Sequence, residues 1–411
     1  MGDPLQLLAF AALAGVTLAV AQMVVNQYRL FRTARETATL ELNFLQERIA
    51  LVAEQRRRER EKSEATWNGY RKFRVVEKTP EADGVISFQL APHDGKPLPR
   101  FQPGQYLTFQ FKLSGADKPL IRCYSLSERP GIPDRYRVTI KRVPEGRISS
   151  HFHDHVQVGD IVDARAPAGQ FCLDLEKQTP VVLVAGGVGV TPMLAMLNAL
   201  SAEGRPREVW FFYGVRNGAE QIMKAHLREL AGRFPSLRLQ LCYSQPSEED
   251  RATGAFQHAE RVSIDLLKRT LPSNQFEFYL CGPAQMMSDL VEGLKKWGVA
   301  DERIFFEAFG PATVRKPALE TGSTTRVAVK IQFSRSGKTC AWNADAGSLL
   351  DFAQQNGVAI EAGCRAGNCG TCLVALKSGE ITYLREPSIP VEAGSCLACV
   401  AVPKTALTLD A

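Results

Sequence analysis

Val181-Val182-Leu183-Val184-Ala185-Gly186-Gly187-Val188-Gly189-Val190-Thr191-Pro192 is the stretch on which the fold turns. Its first five residues are apolar without a break, as expected of a strand buried on both faces of a parallel sheet. Glycines follow at once, and Met193 to Leu200 then reads as helix. A strand, a glycine-rich turn and a helix start in that order form a cradle for a dinucleotide. The glycines allow close backbone approach, and the helix N-terminus favours the phosphates. Gly187, Gly189, Thr191 and Pro192 are the candidate contacts.

Further strands extend the same pattern. Glu208–Gly214 runs into Val215-Arg216-Asn217, and Arg238–Ser244 follows a helical stretch. Phe276–Leu280 then leads to Cys281-Gly282-Pro283, and Phe305-Phe306-Glu307-Ala308-Phe309-Gly310 closes the segment. Residues 176–310 are therefore expected to form an α/β domain on a parallel sheet. Upstream, Val85–Leu90, Tyr106–Phe111 and Tyr136–Arg142 alternate apolar and polar residues between turn signals, which predicts a small antiparallel β-barrel over 67–175. Pro103-Gly104-Gln105-Tyr106, Arg122-Cys123-Tyr124-Ser125, Gly146-Arg147-Ile148-Ser149 and Pro167–Phe171 lie within it. An Arg fork suits a pyrophosphate, and a Tyr ring and Ser hydroxyl suit a flat heterocycle. His151, His153 and His155 read as part of the helix after Ser149, without a metal.

Downstream, Pro311–Thr325 has the composition of a linker, and Val327–Phe333 restarts an alternating strand. Five of the ten cysteines lie between Cys364 and Cys399. Cys364, Cys369 and Cys372, with one more after a long gap, have the C-x4-C-x2-C…C spacing of four thiolates on a 2Fe–2S cluster. By spacing alone either Cys396 or Cys399 supplies the fourth ligand. Structural zinc would prefer paired knuckles.

In this order the motifs resemble the ferredoxin–NADP reductase superfamily, and the domain sequence resembles its phthalate dioxygenase reductase-like flavoproteins. The resemblance implies a barrel holding FAD, with Arg122, Tyr124, Ser125, Thr139, Ile140, Lys141, Gly146, Ile148 and Ser149 on the flavin. It implies a nicotinamide site with Arg216, Tyr243, Ser244, Cys281, Gly282 and Pro283, and Phe309 beside the flavin ring. Ser125, Cys281 and Glu307 would be the catalytic set, with Cys281 shaping hydride-transfer geometry and not attacking as a nucleophile. The ferredoxin pattern Leu-x-Cys before a strand selects Cys399, so the metal ligands would be Cys364, Cys369, Cys372 and Cys399 in a β-grasp domain over 326–411. Tyr243-Ser244-Gln245-Pro246 lacks the clustered cations that usually mark a 2′-phosphate, so NADH is expected, not NADPH. The expected activity is an NAD(P)H oxidoreductase passing electrons through FAD and the cluster to a partner such as an oxygenase. The alternatives are direct reduction of a quinone or ferric complex, and a membrane assembly module without turnover.

Leu5 to Val25 carries no charge, long enough at 1.5 Å per residue to cross a bilayer, and Arg29, Arg32 and Arg35 follow it. This predicts a transmembrane helix over 1–28, a helical stalk over 29–66 with a weak dimer seam, and a single-pass membrane protein with cytoplasmic catalytic domains. The whole chain has 411 residues, 45% hydrophobic and 23% charged, with a net charge of +6. That balance excludes a disordered tail, a polytopic membrane protein, a disulfide-stapled secreted domain and a dedicated nucleic-acid binder.

Overall fold

The computed structural model describes residues 67–308 and 329–411, except 68, 114–118, 129–133, 205–206, 344–345, 364, 366, 368–369, 385–386 and 388–390. Of the first 66 residues it describes Gln22, Met23, Gln27 and Arg48. All that follows concerns the unit Ala65–Ala411. The expectation of a single-pass membrane protein with cytoplasmic catalytic domains is corrected: among the described residues no helix is long and apolar enough to cross a membrane. The anchor and stalk segments, and the dimer seam, otherwise lie outside the described residues.

Six strands form the first sheet: β1 (Arg71–Ala82), β2 (Val85–Pro92), β3 (Tyr106–Phe111), β4 (Leu120–Ser125), β5 (Tyr136–Lys141) and β6 (Ile161–Ala164). Their order is β4-β3-β6-β1-β2-β5, and every pairing is antiparallel. The end strands come together where Leu126, just past β4, bridges Val138 of β5. Inside, Phe73, Phe88, Phe109, Tyr136 and Phe152 are fully buried. Phe152 lies on α1 (Arg147–Asp154), which plugs the sheet edge-on to Phe88 and Phe109. The Lys78 ammonium donates to the carbonyls of His153 and Val156, where the helix dipole favours a cation.

The second sheet is wholly parallel: β7 (Val181–Gly186), β8 (Val209–Val215), β9 (Leu237–Tyr243), β10 (Glu277–Gly282) and β11 (Ile304–Ala308), in the order β11-β10-β7-β8-β9. Helices α2 (Val190–Glu203), α3 (Lys224–Arg233), α4 (Glu248–Thr253), α5 (Ile264–Thr270) and α6 (Ala284–Lys296) connect the strands. Every residue of β7 and β10 is buried, which explains the uninterrupted apolar run. The chain passes from the first sheet to the second through a clamp. Buried Arg207 donates to the carbonyls of Asp174 (2.8 Å) and Thr179 (2.7 Å) and pairs with buried Glu277, which Lys177 also reaches.

The last domain has β12 (Lys330–Phe333), β13 (Lys338–Ala341), α7 (Leu349–Gln355), β14 (Leu373–Ser378), β15 (Ile381–Tyr383), β16 (Ser395–Leu397), β17 (Ala401–Pro403) and β18 (Leu407–Leu409). The main sheet runs β13-β12-β18-β14-β16, with β15 and β17 in a separate ribbon. Ser348 and Asp351 form a capping box at the start of α7.

Candidate active site

The parallel sheet reverses its winding between β7 and β10, which are neighbours although β8 and β9 lie between them in sequence. In open α/β sheets ligands bind outside the carboxyl ends of the strands at such a switch point. Both glycine motifs end there. Gly187–Gly189 forms a short 3-10 turn after β7, and Cys281-Gly282-Pro283 closes β10, with Ala185 and Cys281 in register. The two are packed backbone to backbone: a Cβ on Gly189 would lie 2.1 Å from the Cys281 carbonyl oxygen. Gly187, by contrast, has φ +54°, and among the described residues nothing lies within 4 Å of a built Cβ. That is the shape of a phosphate cradle at the start of α2. The Thr191 hydroxyl donates to the Val188 carbonyl and holds the turn closed, and Pro192 stands in the first helical turn, where its missing N–H costs nothing.

Cys281 is completely buried, and burial first, then the charge of Glu307, pushes its thiol well above the ordinary range. Burial of this kind favours the neutral thiol over the thiolate. Glu307 sits in register with it on β11, also buried. Phe306 is half-buried on the same strand, and Phe309 lies outside the described residues.

At the flavin end, β4 forms the sheet edge and carries Arg122, Tyr124 and Ser125. Arg122 is exposed, with one guanidinium nitrogen on the Ile121 carbonyl. Tyr124 packs edge-on to Phe152, and burial drives its phenol far above the usual value. The Ser125 hydroxyl is buried with no hydrogen-bond partner among the described residues, as expected of a group awaiting a heterocycle nitrogen. Gly146 starts α1 without a side-chain cap, and the helix has no acid in its first turn, which leaves its amides for an anion. Ser149 is buried there, its hydroxyl between Val143 N–H and the Gly146 carbonyl, and Ile148 is core. On β5, the buried Thr139 hydroxyl joins those of Ser87 (2.8 Å) and Ser127 (2.9 Å). The Ile140 carbonyl meets His153 Nε2 at 2.9 Å, while Lys141 is exposed. An exposed Arg, an uncapped helix start and an orphaned serine hydroxyl together fit FAD. The β5 strand also lies against the Gly187–Gly189 turn, bringing the flavin and nucleotide ends together.

In the last domain, Arg365, Gly367 and Gly370 of the cysteine loop all have left-handed backbones. The Arg365 guanidinium ties it to Asp351 and Gln354 on α7. Cys372 and Cys399 are both buried, and the Ala398 N–H donates to the Cys372 carbonyl at 3.0 Å, so two of the expected ligands share one neighbourhood. Cys364 and Cys369 lie outside the described residues. Cys396 is fully buried opposite Val374, its thiol pushed up to about 12 by burial and by Cys372. A buried cysteine pair, with Arg365, Gly367 and Gly370 in left-handed conformations in the same motif, fits a 2Fe–2S cluster.

Tyr243 is fully buried: its ring stacks on Phe256 at 5.1 Å, and its hydroxyl donates to Gln221. Burial pushes the phenol up to about 12. Ser244, next in the chain, is half-buried and its N–H is held by the Val215 carbonyl. Arg216 is exposed but ion-paired with Glu220, a residue the sequence reading missed because the pair spans a strand end and a short 3-10 turn, where no helical spacing marks it.

Three family models match the chain in succession: an oxidoreductase FAD-binding domain over 72–172, an oxidoreductase NAD-binding domain over 183–292, and a 2Fe-2S iron-sulfur cluster binding domain over 331–404. A flavohemoprotein of Bacillus cereus is 37% identical over 255 residues, 61% of this chain and 63% of that protein. The chain thus spans less than two thirds of the length of the curated relatives it matches. The flavohem-like FAD/NAD-binding domain of a nitric oxide dioxygenase from Vibrio cholerae is 35% identical with a TM-score of 0.53, covering 59% of this chain and 99% of that one. Phthalate dioxygenase reductase, a modular structure for electron transfer from pyridine nucleotides to a 2Fe–2S centre, is 28% identical with a TM-score of 0.53. That match covers 84% of this chain and 98% of that one. The chain is therefore a ferredoxin–NADP reductase-like oxidoreductase with FAD, NAD and C-terminal 2Fe–2S ferredoxin domains.

Proposed function

We propose that the protein takes electrons from NADH and passes them, through FAD and the 2Fe–2S cluster, to a partner redox protein such as an oxygenase. The observation that carries this reading is the junction at Gly187–Gly189, which has β5 of the flavin sheet on one side and the Cys281 backbone on the other. Residues assigned to the flavin and residues assigned to nicotinamide thus meet at one turn. Bound FAD accepts two electrons at once and gives them up singly, and the cluster carries one at a time.

The chain's own residues bind and orient. Arg122 and the start of α1, with Gly146, Ile148 and Ser149, would take the flavin pyrophosphate. Ser125, Tyr124, Thr139, Ile140 and Lys141 would hold the flavin, with the Ser125 hydroxyl as a donor to it. Gly187 and Gly189 would admit the nucleotide phosphates. Cys281 and Glu307, both buried, would stand at the transfer site, with Cys281 shaping its geometry. Cys364, Cys369, Cys372 and Cys399 would hold the iron. The domain limits expected from sequence, 67–175, 176–310 and 326–411 with a linker over 311–325, are the natural units for this division of labour. An oxygenase partner is suggested by the name of phthalate dioxygenase reductase.

Anaerobic titration of the loaded protein with NADH tests the proposal. Flavin absorbance should bleach and the cluster's paramagnetic signal should then grow. A bleached flavin beside a cluster that stays oxidised would refute the electron path. Rapid turnover with a free quinone, and no complex with any redox protein, would refute the partner.

A further inference from the structure

We propose that Glu220 is the residue that makes the nucleotide site prefer a free ribose 2′-hydroxyl and reject a 2′-phosphate. The inference rests on the nucleotide site proposed above and adds a residue to it. A ligand lying across the carboxyl ends of a parallel sheet passes from the turn after β7 to the ends of β8 and β9. Arg216 follows the end of β8 directly, and Ser244 follows the end of β9. Backbone bonds lock the two together: Ser244 N–H to the Val215 carbonyl (3.0 Å) and Gln245 N–H to the Arg216 carbonyl (2.7 Å). Arg216 is thus the cation placed where a 2′-phosphate would lie.

That cation is already committed. Glu220 accepts from its guanidinium, while the Glu220 side chain is itself only 17% exposed in the short turn Gly218–Glu220. The Arg216 bond, with the Lys141 charge nearby, holds the Glu220 carboxyl below its ordinary range, so it stays ionised at neutral pH. A second carboxylate, Asp250, braces the same turn by accepting from Gly218 N–H (3.1 Å). A 2′-phosphate would have to take Arg216 from Glu220 and leave a mostly buried carboxylate facing it, a costly arrangement. A 2′-hydroxyl needs only an acceptor, which a carboxylate supplies.

The test is calorimetric binding of ADP and of adenosine 2′,5′-bisphosphate to the FAD- and cluster-loaded protein. Wild type should favour ADP. Glu220→Gln should shift the ratio of the two dissociation constants toward the bisphosphate by about two- to fivefold, one partly exposed charge pair's worth. The double variant Glu220→Gln with Arg216→Ala should lose that shift. An unchanged ratio in Glu220→Gln, or the same shift in the double variant, overturns the proposal. Arg216→Ala alone gives an independent arm: it leaves the Glu220 carboxylate unpaired at the site, so it should weaken bisphosphate binding more than ADP binding. An equal effect on both ligands overturns the proposal. If NADH bleaches the flavin but these ratios do not behave so, only the role of Glu220 falls. If NADH does not bleach the flavin and neither probe binds, the nucleotide site falls with it.

Discussion

Gly189→Ala isolates the contact on which hydride transfer depends. Gly189 has φ −60° and ψ −7°, an ordinary helical conformation, so alanine brings no backbone strain there. Its harm is purely steric. The added methyl would stand 2.1 Å from the Cys281 oxygen, 2.5 Å from the Cys281 carbonyl carbon and 2.8 Å from the Gly282 nitrogen. All three are backbone atoms of a hydrogen-bonded strand, so none can rotate away. Restoring a tolerable contact requires the turn and the end of β10 to part by about 1 Å, and a misplacement of about that size costs on the order of 10²-fold in a positioned reaction. Overpacking of this kind also costs about 1–3 kcal/mol of stability. In anaerobic stopped-flow measurements, NADH should therefore bleach the flavin about 10²-fold more slowly than in wild type, while dithionite bleaches it at the wild-type rate. Gly187→Ala is the control. Its methyl meets nothing among the described residues, its left-handed backbone costs about 1–2 kcal/mol, and Cys281 stays in place. It should weaken NADH binding and spare the limiting rate. A Gly189→Ala protein that folds, keeps its flavin and is reduced by NADH at the wild-type rate would refute the reasoning.

Three further outcomes are expected. Cys372→Ser and Cys399→Ser should each lose iron and the paramagnetic signal of the reduced cluster, whereas Cys396→Ser should keep both; loss of iron in the last variant would reassign the fourth ligand. Arg207→Met strands the buried Glu277 carboxylate on half-exposed Lys177 and frees two carbonyls, so chemical denaturation should report a loss of about 3–5 kcal/mol. A change below about 1 kcal/mol would mean the clamp is already hydrated. His226 bonds the buried Asn198 side chain at 2.9 Å, and burial first, then the Arg137 charge, lowers its pKa from 6.5. Below that value the unfolded chain binds a proton that the folded one refuses, so stability present above pH about 6.5 drains away as pH falls toward the folded pKa. His226→Gln should flatten this acid limb in urea midpoints; an equally steep limb would acquit His226.

The sequence disclosed the parts of the site in which neighbouring residues are bound by one chemical task. The glycine turn after β7, the Cys281-Gly282-Pro283 turn and the cysteine loop each place their constraint within a few positions, and each lies at a strand end in the fold. The burial of Tyr243 was hidden for a physical reason. In β9, the edge strand of its sheet, Leu241, Cys242 and Tyr243 are buried in succession because the segment Phe256–His258 packs on the strand end, so no alternation tells one side from the other. The parity that assigns Phe73 and Val75 to one face of β1 is missing there. Contacts distant in sequence were equally hidden: Lys78 on the carbonyls of α1, and Arg207 across to Glu277, join residues with no local signature.

The dependence of the nucleotide site on the flavin domain follows from one short turn. Gly218–Glu220 receives a hydrogen bond from Asp83 N–H, in the β1–β2 turn, to the Ala219 carbonyl (3.3 Å). Val85, the first residue of β2, is buried in the same packed cluster as Val215 and Ile222, on either side of that turn. Lys141 of β5 adds its charge to Glu220. The turn that restrains Arg216 is therefore held partly by the domain that precedes it in the chain. The same β5 strand lies on the glycine turn at the other end of the nucleotide path. A nucleotide spanning both turns would thus rest on a floor with two owners, so substitutions in the β1–β2 turn, far from any cofactor, should register first in nucleotide affinity and only later in flavin retention.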